Sequence, residues 1–193
     1  MLKHFFALSA AMTLALSSCT SGAKEHAPNP ESTPKAIVCY FSATGTTEAA
    51  AKRIAALADA DLYQIRPATP YTAADLDWRD SLSRSYVEMH NREIRPALAD
   101  TFPDMAQYDI VYIGYPNWWN TAPTIINTFI ESYDFGGKIL VPFMTSGGSN
   151  ITNSEKELGD AYPGLKWEKG LLMNSVSDAD ITEWIEAVKK ASN

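Results

Sequence analysis

Ser42, Ala43, Thr44, Gly45, Thr46 and Thr47 stand directly behind a short apolar run and lead straight into a helical pattern. A helix N-terminus presents N–H groups without partners and a partial positive charge. Glycine lets the backbone curl close to a ligand, and four hydroxyls add further donors, so the segment is suited to an anion. It contains no lysine or arginine. A triphosphate loop would end in Gly-Lys-Ser/Thr and a dinucleotide loop would read Gly-x-Gly-x-x-Gly. Neither is present, which leaves one terminal phosphate held by neutral donors; the competing assignment is a polar helix cap that binds nothing.

A second loop runs Tyr115, Pro116, Asn117, Trp118, Trp119, Asn120, Thr121, Ala122, Pro123, and its last residue suits the first position of a helix. Neighbouring side chains of an extended segment point in opposite directions, so one indole is expected to anchor in the core while the other meets a flat ligand. The alternative is a pair of core or interaction-patch rings. A third loop, Thr145, Ser146, Gly147, Gly148, Ser149, Asn150, carries paired glycines that allow tight backbone near a ring edge; taken alone it is a turn. All three loops follow the C-terminal ends of expected strands, where an open parallel sheet places its ligand crevice.

Side-chain acid–base chemistry has little material. The histidines are His4, His26 and His90, widely scattered, so no catalytic residue is assigned and no metal site is expected. Cys39 falls inside an expected strand, where a small buried thiol is the usual outcome.

The elements that must position these loops alternate between short apolar runs and helical stripes, the pattern of βαβ units with helices on both faces of a parallel sheet. Strands are expected at Ala36–Phe41, Leu62–Ile65, Asp109–Tyr115, Lys138–Met144 and Leu171–Met173. Helical stripes comprise Ala50, Ile54, Leu57 and Ala58, then Ile125, Ile126, Phe129, Ile130 and Tyr133. Ser177 with Asp180 resembles a capping box ahead of Ile181, Trp184, Ile185 and Val188; Thr152 with Glu155 offers a weaker start, ended by Pro163 and Gly164. The long crossover from Arg66 to Gln107 is expected to hold a helix near Ser81–Glu93 and carries five of the six arginines. These either meet an anionic ligand or pair with Asp75, Asp77, Asp80, Glu88 and Glu93 on a solvated face.

With 16 Lys+Arg against 23 Asp+Glu the formal charge is −7, and no basic run appears, which argues against nucleic acid as a partner. An apolar share of 46% and an aromatic share of 11% suit a chain that closes a core. Met1–His4 carry a positive start, and Phe5–Leu16 form an apolar run too short to span a bilayer of roughly 30 Å. With Leu16, Ser17, Ser18 and Cys19 following, residues 1–18 read as a lipoprotein signal peptide and Cys19 as the lipidated residue; an ordinary secretory signal is the alternative. Thr20–Pro34 reads as a flexible tether, with a reach of roughly 20 Å as a coil and about 50 Å at full stretch. The domain is expected over 35–193, and losing residues 1–18 removes one lysine, which takes the formal charge to −8. The expected product is an exported bacterial lipoprotein, anchored on the periplasmic or cell-surface side.

Ser42–Thr47 resembles the phosphate loop of flavodoxins, and Tyr115–Asn120 with Thr145–Gly148 resembles flavodoxin-like bacterial proteins that carry a Trp-Trp pair. The resemblance runs from about Lys35 to Ala191. It implies a flavodoxin-like doubly wound α/β fold: a five-stranded parallel sheet, order 2-1-3-4-5, with helices on both faces and non-covalent FMN. By that resemblance Ser42, Thr44, Gly45, Thr46 and Thr47 hold the FMN phosphate. Pro116, Asn117, Trp118, Trp119 and Asn120 line the isoalloxazine, and Ser146, Gly147 and Gly148 close on its far edge. The second ring-contacting loop is not recognisable in Arg66–Gln107, where Trp78 is the candidate. The expected activity is electron transfer to a redox partner protein or a small-molecule acceptor. An FMN-dependent NAD(P)H:quinone-type oxidoreductase using Arg84 or Arg92, and a non-redox binding module, are the alternatives.

Overall fold

The computed structural model describes residues 34–101 and 104–192. The expected signal peptide, Cys19 and the tether up to residue 33 lie outside the described residues.

The central strands are unbroken apolar runs because both of their faces are covered. β1 (Ala36–Tyr40) and β4 (Ile139–Thr145) are buried throughout, and β3 (Ile110–Pro116) is buried up to its last residue. With β2 (Asp61–Gln64) and a short β5 (Lys166–Trp167) they form a parallel sheet in the order β2-β1-β3-β4-β5, the expected doubly wound arrangement. Register sets Ile37 against Val111 and Val111 against Leu140.

Side chains alternate across the sheet and build two cores. Ile37, Cys39, Val111, Ile113 and Leu140 meet Ile125, Ile126 and Phe129 of α3 (Thr124–Ser132) and Leu158 of α4 (Thr152–Ala161). Val38, Tyr112, Val141 and Phe143 meet Ala51 and Ile54 of α1 (Thr46–Ala58) and Ile181 and Ile185 of α5 (Asp178–Ala191). Gly114 is required here, since a Cβ on it would lie 2.1 Å from the Phe143 ring. Leu57 falls at the margin of the α1 stripe and is exposed, its place in the buried face taken by Ala55.

Where one strand is expected at Leu171–Met173, the sheet edge holds two short ones, β5 (Lys166–Trp167) and β6 (Leu171–Leu172), both parallel to β4. The cause is Pro142. Leu140 O accepts from Glu168 N–H and Met144 O from Met173 N–H, so alternate residues of β4 face this edge. Pro142 stands between them and has no N–H to continue the ladder. Gly170 crosses the gap, where a Cβ would come within 2.5 Å of Pro142 O.

The capping box of α5 forms as expected, with Ser177 and Asp180 bonding reciprocally. Thr152 does not cap α4. Its N–H donates to Asn150 Oδ1 at 3.1 Å, and the Glu155 carboxylate accepts from Gly170 N–H at 2.6 Å, tying the helix to the β5–β6 connection. α2 covers only Arg84–His90, since Ser83 caps it by accepting from Tyr86 N–H.

Candidate functional site

Between β1 and α1 the chain makes a bare helix start. Gly45 occupies the N-cap with φ 89°, a left-handed conformation that favours glycine, and no side chain caps the first turn. The first intrahelical bond is Ala49 N–H to Gly45 O, which leaves the N–H groups of Thr46, Thr47 and Glu48 without helical acceptors. Ser42 Oγ accepts from Gly45 N–H at 3.1 Å and fixes the curl of the loop. Thr47 is buried, and its hydroxyl lies 2.8 Å from Thr145 Oγ1 at the end of β4. The loop hydroxyls therefore do not cap the helix, and its positive end stays open. Thr44 and Thr46 keep their side chains on the exposed side.

The tryptophan loop is a tight turn where the sequence suggests extended chain. Trp118 and Thr121 exchange two backbone hydrogen bonds of 3.0 Å, with Trp119 at φ 49° and Asn120 at φ 65° between them. Positive φ at both centres makes this a type I′ turn, unusual for a residue as bulky as tryptophan. Trp118 is the anchored indole, edge-on to Phe41 at 5.6 Å and to Tyr71 at 5.3 Å. Trp119 projects further out, edge-on to Tyr86 at 5.8 Å and to His90 at 5.6 Å.

The opposite wall comes from the long crossover. A cleft of about 340 Å³ has Ala43 and Thr44 at the end nearest the β1–α1 loop and Pro116, Asn117, Trp118 and Trp119 on one side; Leu76, Trp78 and Ser85 close the other. Ser85 Oγ and Asn117 Oδ1, on two residues that line the cleft, are buried without hydrogen-bond partners. Trp78 is exposed, with the Arg79 guanidinium 4.9 Å from its ring centre.

The remaining arginines of the crossover are engaged. Arg84 Nε donates to Glu88 at 2.6 Å and its Nη1 to Thr69 O at 2.7 Å; Arg92 donates to Ala122 O at 3.0 Å, with Glu157 near it. Arg66 pairs with Asp100 and Arg95 with Glu131. Of the acidic partners expected, Glu88 alone is used in an ion pair; Asp75 instead accepts from Thr72, and the others come from outside the segment or its far end.

A loop of open N–H groups joined to an aromatic cleft can hold a flat ring with an anionic tail. The model of the flavodoxin family matches residues 35–188. The chain is a member of the flavodoxin family. Two solved structures from Bacteroides, each described as a flavoprotein, resemble this flavodoxin closely. The one from Bacteroides uniformis is 55% identical with a TM-score of 0.77 and covers 80% of this chain and 99% of its own. The one from Bacteroides eggerthii is 50% identical with a TM-score of 0.79, covering 80% and 98%. A flavoprotein of Lactobacillus acidophilus, solved in complex with FMN, shares the fold at 21% identity and a TM-score of 0.61, covering 78% and 98%. No curated protein matches the chain.

Within this flavodoxin the three anticipated loops do not contribute equally. Thr44, Pro116, Asn117, Trp118 and Trp119 meet in the cleft, as does Trp78. Asn120 serves the turn, and its carbonyl accepts from Asn153 Nδ2 at 3.0 Å. Ser146 Oγ accepts from Gly148 N–H and Ser149 N–H and lines a separate hollow with Thr46 and Arg53, while Gly147 and Gly148 stand in open space without positive φ. Leu76 and Ser85 were not legible as wall residues, because nothing in their types distinguishes them; Glu88 was expected only as a possible arginine partner, and Tyr71 was not singled out.

Proposed function

We propose that the chain binds FMN in this cleft and acts as an electron carrier rather than as a self-sufficient reductase. The observation that carries the reading is continuity. Thr44 directly precedes the Gly45 N-cap of α1 and also lines the aromatic cleft, so one ligand can place a phosphate on the helix end and a ring beside the tryptophans. The residues suit that ligand. Thr46, Thr47 and Glu48 offer backbone N–H groups and Thr44 and Thr46 hydroxyls to a phosphomonoester. Trp118 and Trp119 supply ring faces or edges, and Asn117 and Ser85 supply polar atoms. The flavoprotein descriptions of the Bacteroides relatives and the FMN of the Lactobacillus protein support the choice.

FMN bound there supplies reversible electron uptake, and the protein supplies position and electrostatics. Arg84 and Arg92, the cations that would greet a nicotinamide nucleotide in an enzyme, are already committed to Glu88, Thr69 O and Ala122 O. A carrier needs no such nucleotide site. The reading extends to a lipid anchor at Cys19, a tether over residues 20–34, and a redox partner protein or small-molecule acceptor met outside the cytosol. Stopped-flow mixing of the FMN-loaded full chain with NADPH tests it: slow flavin bleaching without an added reductase is expected, and rapid bleaching by the chain alone overturns the carrier assignment.

A further inference from the structure

Glu88 is a carboxylate only 4% exposed, at the inner face of α2. Burying a charge is costly unless it is paired, and replacing a buried pair by apolar groups is often no less stable, so the pair is better explained by the geometry it fixes. Its two oxygens are divided. One accepts from Arg84 Nε at 2.6 Å, the other from the Tyr71 hydroxyl, seventeen positions earlier in the chain. Arg84 closes the arrangement from above, its guanidinium carbon 4.0 Å from the Tyr71 ring centre and its Nη1 on Thr69 O. Tyr71 is thus held by its hydroxyl, its ring face and the backbone two residues before it.

The ring so held bears on the cleft. Tyr71 meets Trp118 edge-on at 5.3 Å and an 84° interplanar angle, and Phe41, 5.6 Å from both, completes the group. Trp118 lines the cleft; Glu88 and Arg84 do not. Ser85, beside Arg84 in α2, lines it too.

We propose that Glu88, with Arg84, is a positioning residue that sets the Trp118 indole through Tyr71, and so sets the stacking surface offered to the ligand. The inference deepens the flavin reading and rests on it for its consequence, though the Glu88–Tyr71–Trp118 coupling exists without any ligand. A role in stability alone would change affinity and fold together. Positioning through one hydroxyl predicts instead that Glu88 matters only while that hydroxyl is present.

A double-mutant cycle on the full chain tests this with Glu88→Ala, Tyr71→Phe and their combination, and with Glu88→Gln as the variant that keeps volume if Glu88→Ala unfolds. Near-ultraviolet circular dichroism of the FMN-free chain reads the Tyr71–Trp118 pair, with Trp118→Phe identifying its band. FMN fluorescence quenching reads the consequence. Each single substitution is expected to weaken the Trp118 band and to raise the FMN dissociation constant about tenfold, with Glu88→Ala adding less than about twofold in the Tyr71→Phe background. An unchanged band in both single variants, or equal effects of Glu88→Ala in both backgrounds, overturns the proposal. Should the parent chain fail to quench FMN while the band follows the cycle, the positioning stands and the flavin assignment falls.

Discussion

Thr47 Oγ1 and Thr145 Oγ1 lie 2.8 Å apart, a buried hydrogen bond that ties the start of α1 to the end of β4. It connects the β1–α1 loop to the strand whose end also supports the tryptophan loop, because Thr145 O accepts from Asn117 N–H at 2.7 Å. Thr47 therefore acts through structure, and in the proposed site it contributes only its backbone N–H, its hydroxyl being bonded to Thr145. Thr47→Val is expected to lower stability by about 1–3 kcal/mol, since it strands a buried hydroxyl. FMN affinity should fall much less than in Thr44→Val. Urea unfolding paired with FMN titration of both variants checks the contrast.

Gly45 supplies both the left-handed turn and open space above the helix end. A Cβ there would touch nothing within 4 Å, so the cost of Gly45→Ala is conformational, about 1–2 kcal/mol at φ 89°. Gly45→Glu is expected to cost a similar amount of stability and to abolish FMN binding, because it places a negative charge at the proposed phosphate site. Thermal unfolding and fluorescence quenching separate the two effects.

Trp119 sits at φ 49°, a conformation that suits glycine or asparagine and strains a bulky side chain. Trp119→Gly should leave the melting temperature unchanged or raise it, while weakening FMN by roughly tenfold as an aromatic contact of about 1.4 kcal/mol is lost. A melting temperature that falls along with affinity would show the indole to be structural.

The excess of acidic groups opposes further negative charge on a bound flavin. One unit charge about 10 Å away at an effective dielectric of ~20 costs roughly 1–2 kcal/mol, on the order of 60 mV for one electron. The second-electron potential of bound FMN should lie below that of the free cofactor and rise with added salt. Dye-linked reductive titration at two ionic strengths measures both.

Acid lability follows from paired carboxylates. The Ser177 hydroxyl and N–H hold the Asp180 carboxyl below its usual range, and the Arg95 guanidinium does the same for Glu131. A depressed value in the fold means that stability is present above the ordinary carboxylate range and is lost as pH falls through the folded-state value. Asp180→Asn should flatten the decline of stability below about pH 4, read by urea unfolding at stepped pH.

Most of the sheet was legible because burial on both faces forces continuous apolar strands, as in Ile37–Phe41 and Ile110–Tyr115. The split of the fifth strand was not, although Pro142 in the middle of β4 carried the signal in its missing N–H. The Ser177–Asp180 cap was readable from spacing; the Trp118–Thr121 turn was not, because no local propensity favours a tryptophan at positive φ. In the site, the open start of α1 was legible through Gly45, whereas the engagement of the Thr47 hydroxyl with Thr145, a partner 98 positions away, was not. The far wall of Leu76, Trp78 and Ser85 depends on how a long crossover folds back, which Trp78 alone hinted at.

In the proposed arrangement a phosphomonoester sits on the uncapped end of α1 while its flat ring lies in the tryptophan cleft. Parallel titration of the full chain with FMN and with riboflavin, which lacks the phosphate, tests it most directly. FMN fluorescence should be quenched to saturation at one flavin per chain, with riboflavin needing about a hundredfold more, the equivalent of about 2.7 kcal/mol. Equal affinity for the two, or no quenching by either, would rule that arrangement out.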